Sequence, residues 1–309
     1  MTHVEELIII WNSASKSSDH HSEQGATLAS SYLTCAWQAF AENLHKLTMQ
    51  ISPNNLGHIF PSIETIPSLT RLKHLDMSIE YGTQLGRNLK ILLSFLNSVS
   101  HTLQSLKITV VADIDLSPLF QDLIHFPQLY SVHLTVAGKL STPSDLYHWL
   151  NRHSNELTSL NCFGNFDLPP ILPELTLPYL RLLEIDPRLL LDKWATPVGL
   201  HTLKALTQLS LICPLKSSQV ASFLQFCASV DTLSLERLHL CIVELTSNLL
   251  ELLARSLPRL KHLSLEIIYV VDEKLVSVKP ETYFPLKQVR ICCLIRFRLT
   301  SYQGYGSPN

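Results

Sequence analysis

Charge is scarce in this chain. Asp, Glu, Lys and Arg make up 16% of its 309 residues, against 46% hydrophobic, which excludes the solvated, self-repelling composition of a disordered protein. The 24 basic and 26 acidic side chains leave a formal charge of -2. Nucleic acid and anionic membrane therefore meet no basic excess, and neither is an expected partner. Glycine is equally sparse, at nine residues, and none forms a G-x-x-x-x-G-K-[ST] phosphate cradle or a G-x-S-x-G elbow. H-E-x-x-H is also missing. Gly304 and Gly306 lie in a polar terminal stretch and join no strand to a helix. No enzyme, cofactor or metal is expected. The seven cysteines are odd in number and lack C-x-x-C, and there is no N-x-[ST] sequon; a reduced setting, cytoplasmic or nuclear, fits this usage. The opening residues Met1–Ile10 carry acidic flanks and an apolar run too short for a signal peptide or a membrane span.

What the chain does have is one apolar frame, L-x-x-L-x-L, repeated along most of its length. The copies are Leu44/Leu47/Met49, Leu72/Leu75/Met77, Leu103/Leu106/Ile108, Leu129/Val132/Leu134, Leu157/Leu160/Cys162, Leu180/Leu183/Ile185, Leu206/Leu209/Leu211, Val230/Leu233/Leu235, Leu260/Leu263/Leu265 and Leu286/Val289/Ile291. Successive starts lie 23 to 31 residues apart, and a period in this range with this frame is the signature of a leucine-rich repeat. The residue between the last two apolar positions is polar in every copy: Thr48, Asp76, Lys107, His133, Asn161, Glu184, Ser210, Ser234, Ser264 and Arg290. Side chains alternate faces along a strand, so L-x-L buries its outer two and turns its middle one to water. A buried helix would not require polarity at that one place ten times.

The segments between frames carry apolar stripes at helical spacing, clearest at 85–99, 144–152, 218–227 and 246–256. Strand, crossover and strand in one direction give a parallel sheet with helices on one face. The expected fold is thus α/β: a leucine-rich-repeat horseshoe, a solenoid whose curved parallel sheet has about ten strands, with helices or irregular turns on the convex side. A proline stands just ahead of several frames, at Pro67, Pro127, Pro178, Pro258 and Pro285, where it stops the crossover and starts the strand. The Pro- and Leu-rich segments 167–178 and 186–199 are too broken for full helices.

Three regions follow. Residues 1–26 hold a partial first strand, Val4, Leu7 and Ile9, with an apolar middle residue, Ile8, and then a mobile polar loop at 12–25. A chain that opens on a strand starts inside an array, with no polar end cap, as a fragment or a misplaced start codon would leave it. Residues 27–298 form the repeat domain, entered through a helical stretch at 27–43, and 299–309 form a flexible tail. Asp19, His20 and His21 in the loop offer metal-ligating groups, but adjacent histidines point apart and no further ligand has metal-site spacing. The other histidines include equivalent strand positions, His74 and His262, each after a Lys in R-L-K-H-L. That repetition argues for shared exposure against a catalytic base.

The F/L-P-x-L-x-x-L-x-L signature, in Phe126-Pro127-Gln128-Leu129 and Leu257-Pro258-Arg259-Leu260, with the irregular period, resembles the leucine-rich-repeat region of fungal F-box proteins over roughly residues 27 to 295. It departs from the regular consensus in one respect: the Asn or Cys three residues beyond L-x-L survives only as Asn165 after Cys162. The resemblance implies substrate recognition for a cullin-RING ubiquitin ligase. No F-box is visible, since Leu172-Pro173-Glu174-Leu175 is short and internal, so a ligase adaptor is an expected partner only if an F-box exists upstream.

Function is expected on the concave face, as partner binding by Asp76, Lys107, His133, Asn161, Phe163, Glu184, Asp186, Glu236, Glu266 and Arg290. Glu184, Asp186, Glu236 and Glu266 make an acidic rim around Phe163, Leu182 and Ile212. Such a rim suits a basic or amphipathic partner segment, unless the carboxylates simply solvate the sheet. The alternative to a ligase-type recognition module is a ligand-sensing or enzyme-inhibitor horseshoe, which a deep pocket with converging charges would favour.

Overall fold

The computed structural model describes residues 4–11, 32–37, 39–52, 59, 69–80, 88–111, 114–138, 140–164, 175–187, 204–230, 233–270 and 288–293. The chain divides into two compact units, Met1–Leu206 and Thr207–Asn309. In the first, seven strands run parallel, each beside its predecessor in the chain: β1 (Glu6–Trp11), β2 (Lys46–Ile51), β3 (His74–Ile79), β4 (Ser105–Val110), β5 (Ser131–Val136), β6 (Ser159–Gly164) and β7 (Leu182–Ile185). Helices α1 (Leu89–Ser98), α2 (Ser117–Asp122) and α3 (Pro143–Arg152) make crossovers. In the second unit the order is β8 (Gln208–Leu215), α4 (Ser217–Ala228), β9 (Arg237–Leu245), α5 (Ser247–Ser256), β10 (His262–Val270) and β11 (Gln288–Cys293), again with parallel neighbours. Each unit is thus an α/β assembly of parallel strands alternating with helices, as the frame predicted.

The frame sets the register. Leu7, Leu47, Leu75, Leu106, Val132, Leu160 and Leu183 stand side by side across the first unit, and Ile9, Met49, Met77, Ile108, Leu134, Cys162 and Ile185 form the next row. From β2 to β7 these two rows are 0 to 2% exposed. The alternate residues are half-exposed, and the pattern repeats strand after strand. Helices cover the buried face through Leu92, Phe95 and Leu96 in α1, Leu119 and Phe120 in α2, and Trp149 and Leu150 in α3. In the second unit Leu209, Leu238 and Leu263 form the equivalent row, each at most 2% exposed.

Proline acts where expected at Pro127, Pro178 and Pro258, while Pro67 and Pro285 lie outside the described residues. Leu129 N–H donates to Phe126 C=O at 3.1 Å, Leu180 to Leu177 at 3.2 Å and Leu260 to Leu257 at 3.1 Å, so each F/L-P-x-L is a turn with proline at its second position. The turn delivers the chain to a carbonyl that receives two donors from the next unit. Lys73 C=O accepts from Gln104 N–H (2.8 Å) and Ser105 N–H (2.9 Å), and Tyr130 C=O from Thr158 (2.9 Å) and Ser159 (3.0 Å). Glu5, His45, Gln104, Thr158, Thr207 and Glu236 do the same. At the exits, Glu80, Val111 and Ala137 N–H groups donate to Ile51, Ile79 and Val110. These backbone ladders satisfy groups that a consensus Asn row would otherwise serve.

One frame is displaced. Val230/Leu233/Leu235 is not a strand: Leu233 N–H closes a turn on Val230 C=O at 3.3 Å, and β9 takes the overlapping frame Leu235/Leu238/Leu240. Both frames have a polar middle residue, Ser234 and His239, but only the second continues into the apolar run Cys241-Ile242-Val243 that a strand can pair. Ser234 consequently lies outside the sheet, and His239 takes its row beside Ser210 and Ser264. Beyond Leu211, the pairing of β8 shifts before Leu215 meets Ile242; Pro214, with no N–H to give, sits in the shifted stretch. β1 meets its expectation, with Leu7 and Ile9 in the apolar rows. The loop at 12–25 and the tail lie outside the described residues.

Candidate functional site

The face of the sheet opposite the helices presents side chains on strands whose two neighbours fix them. In the first unit its central row reads Thr48, Asp76, Lys107, His133, Asn161 and Glu184, in register across six strands. Four of these form two cross-strand pairs on neighbouring strands. Lys107 Nζ lies 2.9 Å from Asp76 Oδ2. Asn161 Nδ2 donates to His133 Nδ1 at 3.2 Å, which leaves the ring proton on Nε2, 3.2 Å from Thr135 Oγ1. Phe163, one row on, meets the His133 ring edge-on with centroids 5.4 Å apart. Burial, and then the positive charge of Lys107, hold the His133 pKa below the usual imidazole value, against the opposing pull of Asp76. The ring is neutral at pH 7.

Five residues singled out by sequence thus come together: Asp76, Lys107, His133, Asn161 and Phe163. Glu184 follows Asn161 in register. Thr135 belongs to the cluster and was missed; its position two residues beyond His133 on the same strand face was the available signal. Flanking pairs extend the polar face. Lys46 Nζ lies 2.6 Å from Glu6 Oε1, and Gln50 is hydrogen-bonded to Glu80.

Two of the four carboxylates expected on the open face, Asp186 and Glu236, lie elsewhere. Asp186 is buried, at 3% exposure, because β7 ends at Ile185 and Asp186 is followed by Pro187, so the alternation that would have turned Asp186 outward stops. It lies close enough to Cys162 that burial and, second, the Asp186 carboxylate push that thiol up to about 12. Glu236 sits on the turn entering β9, not on the strand face. There Lys261 Nζ reaches its Oε1 at 2.5 Å, and this hydrogen bond, ahead of other causes, holds the carboxyl below its ordinary range. Glu266 does project from the open face of β10, with His239 Nε2 3.8 Å away. Arg290 stands in β11 opposite Ser264. Of the apolar anchors, Leu182 and Ile212 are half-buried. His74 and His262 open β3 and β10 as equivalent half-buried residues.

A cleft of about 220 Å³ in the second unit is lined by Cys227, Val230, Leu235, Arg255, Pro258 and Arg259; none of the open-face residues reaches it. Among the described residues no three His, Cys, Asp or Glu side chains gather as a cation site, and no described helix is long and apolar enough to cross a membrane. No family model matches the sequence, and no curated protein matches it.

Proposed function

We propose that this chain is a non-enzymatic protein-interaction module of the leucine-rich-repeat type, which grips a protein partner on the open sheet face of residues 4–187. The carrying observation is the Asp76–Lys107 pair beside the His133–Asn161–Phe163 cluster: half-exposed side chains of mixed chemistry, already held in place by cross-strand contacts. A surface ordered before binding loses little side-chain entropy on association, and an aromatic residue flanked by polar groups is the composition of an interface centre. Glu6, Lys46, Gln50 and Glu80 supply a polar surround.

The ligase setting comes from the resemblance to F-box-type repeat proteins: the module selects the substrate and an F-box elsewhere docks the cullin adaptor. Quantitative affinity capture tests both parts. The wild-type chain is compared with a Lys107→Glu, Asn161→Lys, Phe163→Ala variant whose melting curve is matched to it. A partner set recovered by the wild type and lost by the variant supports the assignment. Equal recovery by both overturns it, while a cullin adaptor in the same captures, made with the full gene product, supports the ligase role.

A further inference from the structure

We infer that His133 and Asn161 form a proton-operated pair at the centre of the open face: when the imidazole gains its second proton the Asn161 amide turns over, and the positive charge then set there releases a docked partner. The turning of the amide concerns the free chain alone; the release rests on the interaction role proposed above. Asn161 Nδ2 lies 3.2 Å from His133 Nδ1. An amide nitrogen only donates, so Nδ1 is the acceptor and the ring proton sits on Nε2, 3.2 Å from Thr135 Oγ1. The other head of the amide is left over: Asn161 Oδ1 is buried and has no hydrogen-bond partner among the described residues. A buried acceptor left in this way calls for a physical reason, and the charged ring supplies one. A protonated imidazole donates from both nitrogens, so Nδ1–H would face the Nδ2 hydrogens and the contact would fail. Half a turn about the Cβ–Cγ bond of Asn161 exchanges the two heads. Oδ1 then accepts from Nδ1–H while Nε2–H keeps Thr135. In each state one head of the amide is hydrogen-bonded to the ring, so the amide favours neither strongly and the proton decides.

The groups around His133 fix the sense of the switch. Lys107 stands beside it on β4, with its ammonium 2.9 Å from Asp76 on β3. β6 offers Asn161 and the Phe163 ring, neither of them charged, and Glu184 on β7 is two strands away. Its own strand adds only Ser131 and Thr135 to this face. The Asp76 carboxylate that could balance a charged ring is thus already engaged by Lys107. Burial and the Lys107 charge outweigh Asp76 in setting the His133 pKa, so the ring is neutral at neutral pH and charges only in acid. A docked protein strips the remaining water from this half-buried ring. A neutral imidazole tolerates that loss, whereas an unbalanced imidazolium beside Lys107 does not. Docking and protonation therefore oppose each other, and acid weakens capture.

Long-range nitrogen–proton NMR of the His133 ring, recorded on the full chain from neutral pH downward, is the first test. At neutral pH Nε2 should carry the proton and Nδ1 none. On acidification Nδ1 should gain a proton, and the Asn161 side-chain amide signals should move with the same midpoint; in His133→Gln those signals should stay still over that range. A ring protonated on Nδ1 at neutral pH, an Asn161 amide indifferent to the His133 titration, or a ring that stays neutral down to acid unfolding overturns the pair. The affinity capture described above, repeated over a series of pH values, tests release. The apparent affinity for the recovered partner set should fall about tenfold per pH unit below the His133 midpoint, the limit for one excluded proton. Recovery that does not depend on pH, or that is lost at another midpoint, overturns the release step. Recovery of no partner at neutral pH counts against the interaction role alone, because the NMR titration needs no partner.

Discussion

The backbone N–H of Phe126 donates to Nε2 of His153 at 3.0 Å. The opposite ring nitrogen, Nδ1, lies 2.7 Å from the carbonyl of Trp149 and must carry the ring proton, because a carbonyl only accepts. His153 therefore ties the turn ahead of β5 to the last turn of α3, with its side chain wholly buried among His125, Phe126 and Trp149. A neutral imidazole satisfies both partners, and a charged one does not. Burial accordingly pushes its pKa down to about 4, even though the hydrogen bond to Trp149 favours the charged form; the nearby His125 and Arg152 lower it further.

Acid should destabilise the first unit through this residue. Its folded pKa of about 4 lies below the ordinary value of 6.5, so between those values the unfolded chain binds the extra proton. The stabilisation is complete above pH 6.5 and is lost as pH falls toward 4, by about 3 kcal/mol in all. Urea midpoints measured over that window in the wild type and in His153→Gln check it: the wild type should lose stability more steeply. Parallel curves would refute the assignment.

Gly138 should not tolerate a methyl group. A Cβ placed there meets Ile114 O at 2.5 Å and Ile114 N at 2.6 Å, and these are backbone atoms that cannot rotate away. Gly138→Ala should cost about 1–3 kcal/mol. Beside it Asp115 Oδ1 accepts from Ser117 N–H at 2.9 Å and Ser141 N–H at 3.1 Å, pinning the loop against relaxation. A thermal melt indistinguishable from wild type would show that the loop yields after all.

Most of the fold was legible because its governing rule is local. A strand with one buried face writes its alternation into six consecutive residues, and proline writes the turn before it, so β2 to β8 and β10 stand where Leu47, Leu209 and Leu263 put them. Helices α1, α3, α4 and α5 follow from their apolar stripes. The short α2 was not singled out, since six residues give too little periodicity. What failed was information held by neighbours. Leu235 serves equally as the last residue of one frame or the first of the next, and only pairing with β8 and β10 decides. Asp186 looked outward by alternation, but alternation ends with the strand at Ile185. The His133–Asn161 contact needed the register of two strands, which follows from the frame, whereas the Thr135 hydrogen bond needed a rotamer.

The displaced frame makes a prediction of its own. Leu238 is 2% exposed in the apolar row between Leu209 and Leu263, whereas Leu233 is half-buried on a turn. Truncating a buried leucine removes its transfer energy and leaves a cavity, so Leu238→Ala should cost about 2–5 kcal/mol. Leu233→Ala should cost clearly less, and denaturant titration of the two variants compares them directly. The reverse ranking would restore the original register.

The Asp76–Lys107 pair separates stability from recognition. Its side chains are 33% and 44% exposed, and an ion pair so open to solvent contributes no more than about 1 kcal/mol, because water screens the attraction and two long side chains must be ordered. Lys107→Ala should therefore leave the melting temperature nearly unchanged and slightly relieve His133, whose pKa the Lys107 charge helps to depress. An upward move of the His133 titration, followed by NMR, would show that the ammonium group acts on the ring. If the open face is where a partner docks, the same substitution should weaken capture of that partner despite its small effect on folding. A variant that melts early would instead show that the pair holds the sheet together, and its binding defect could then not be read as recognition.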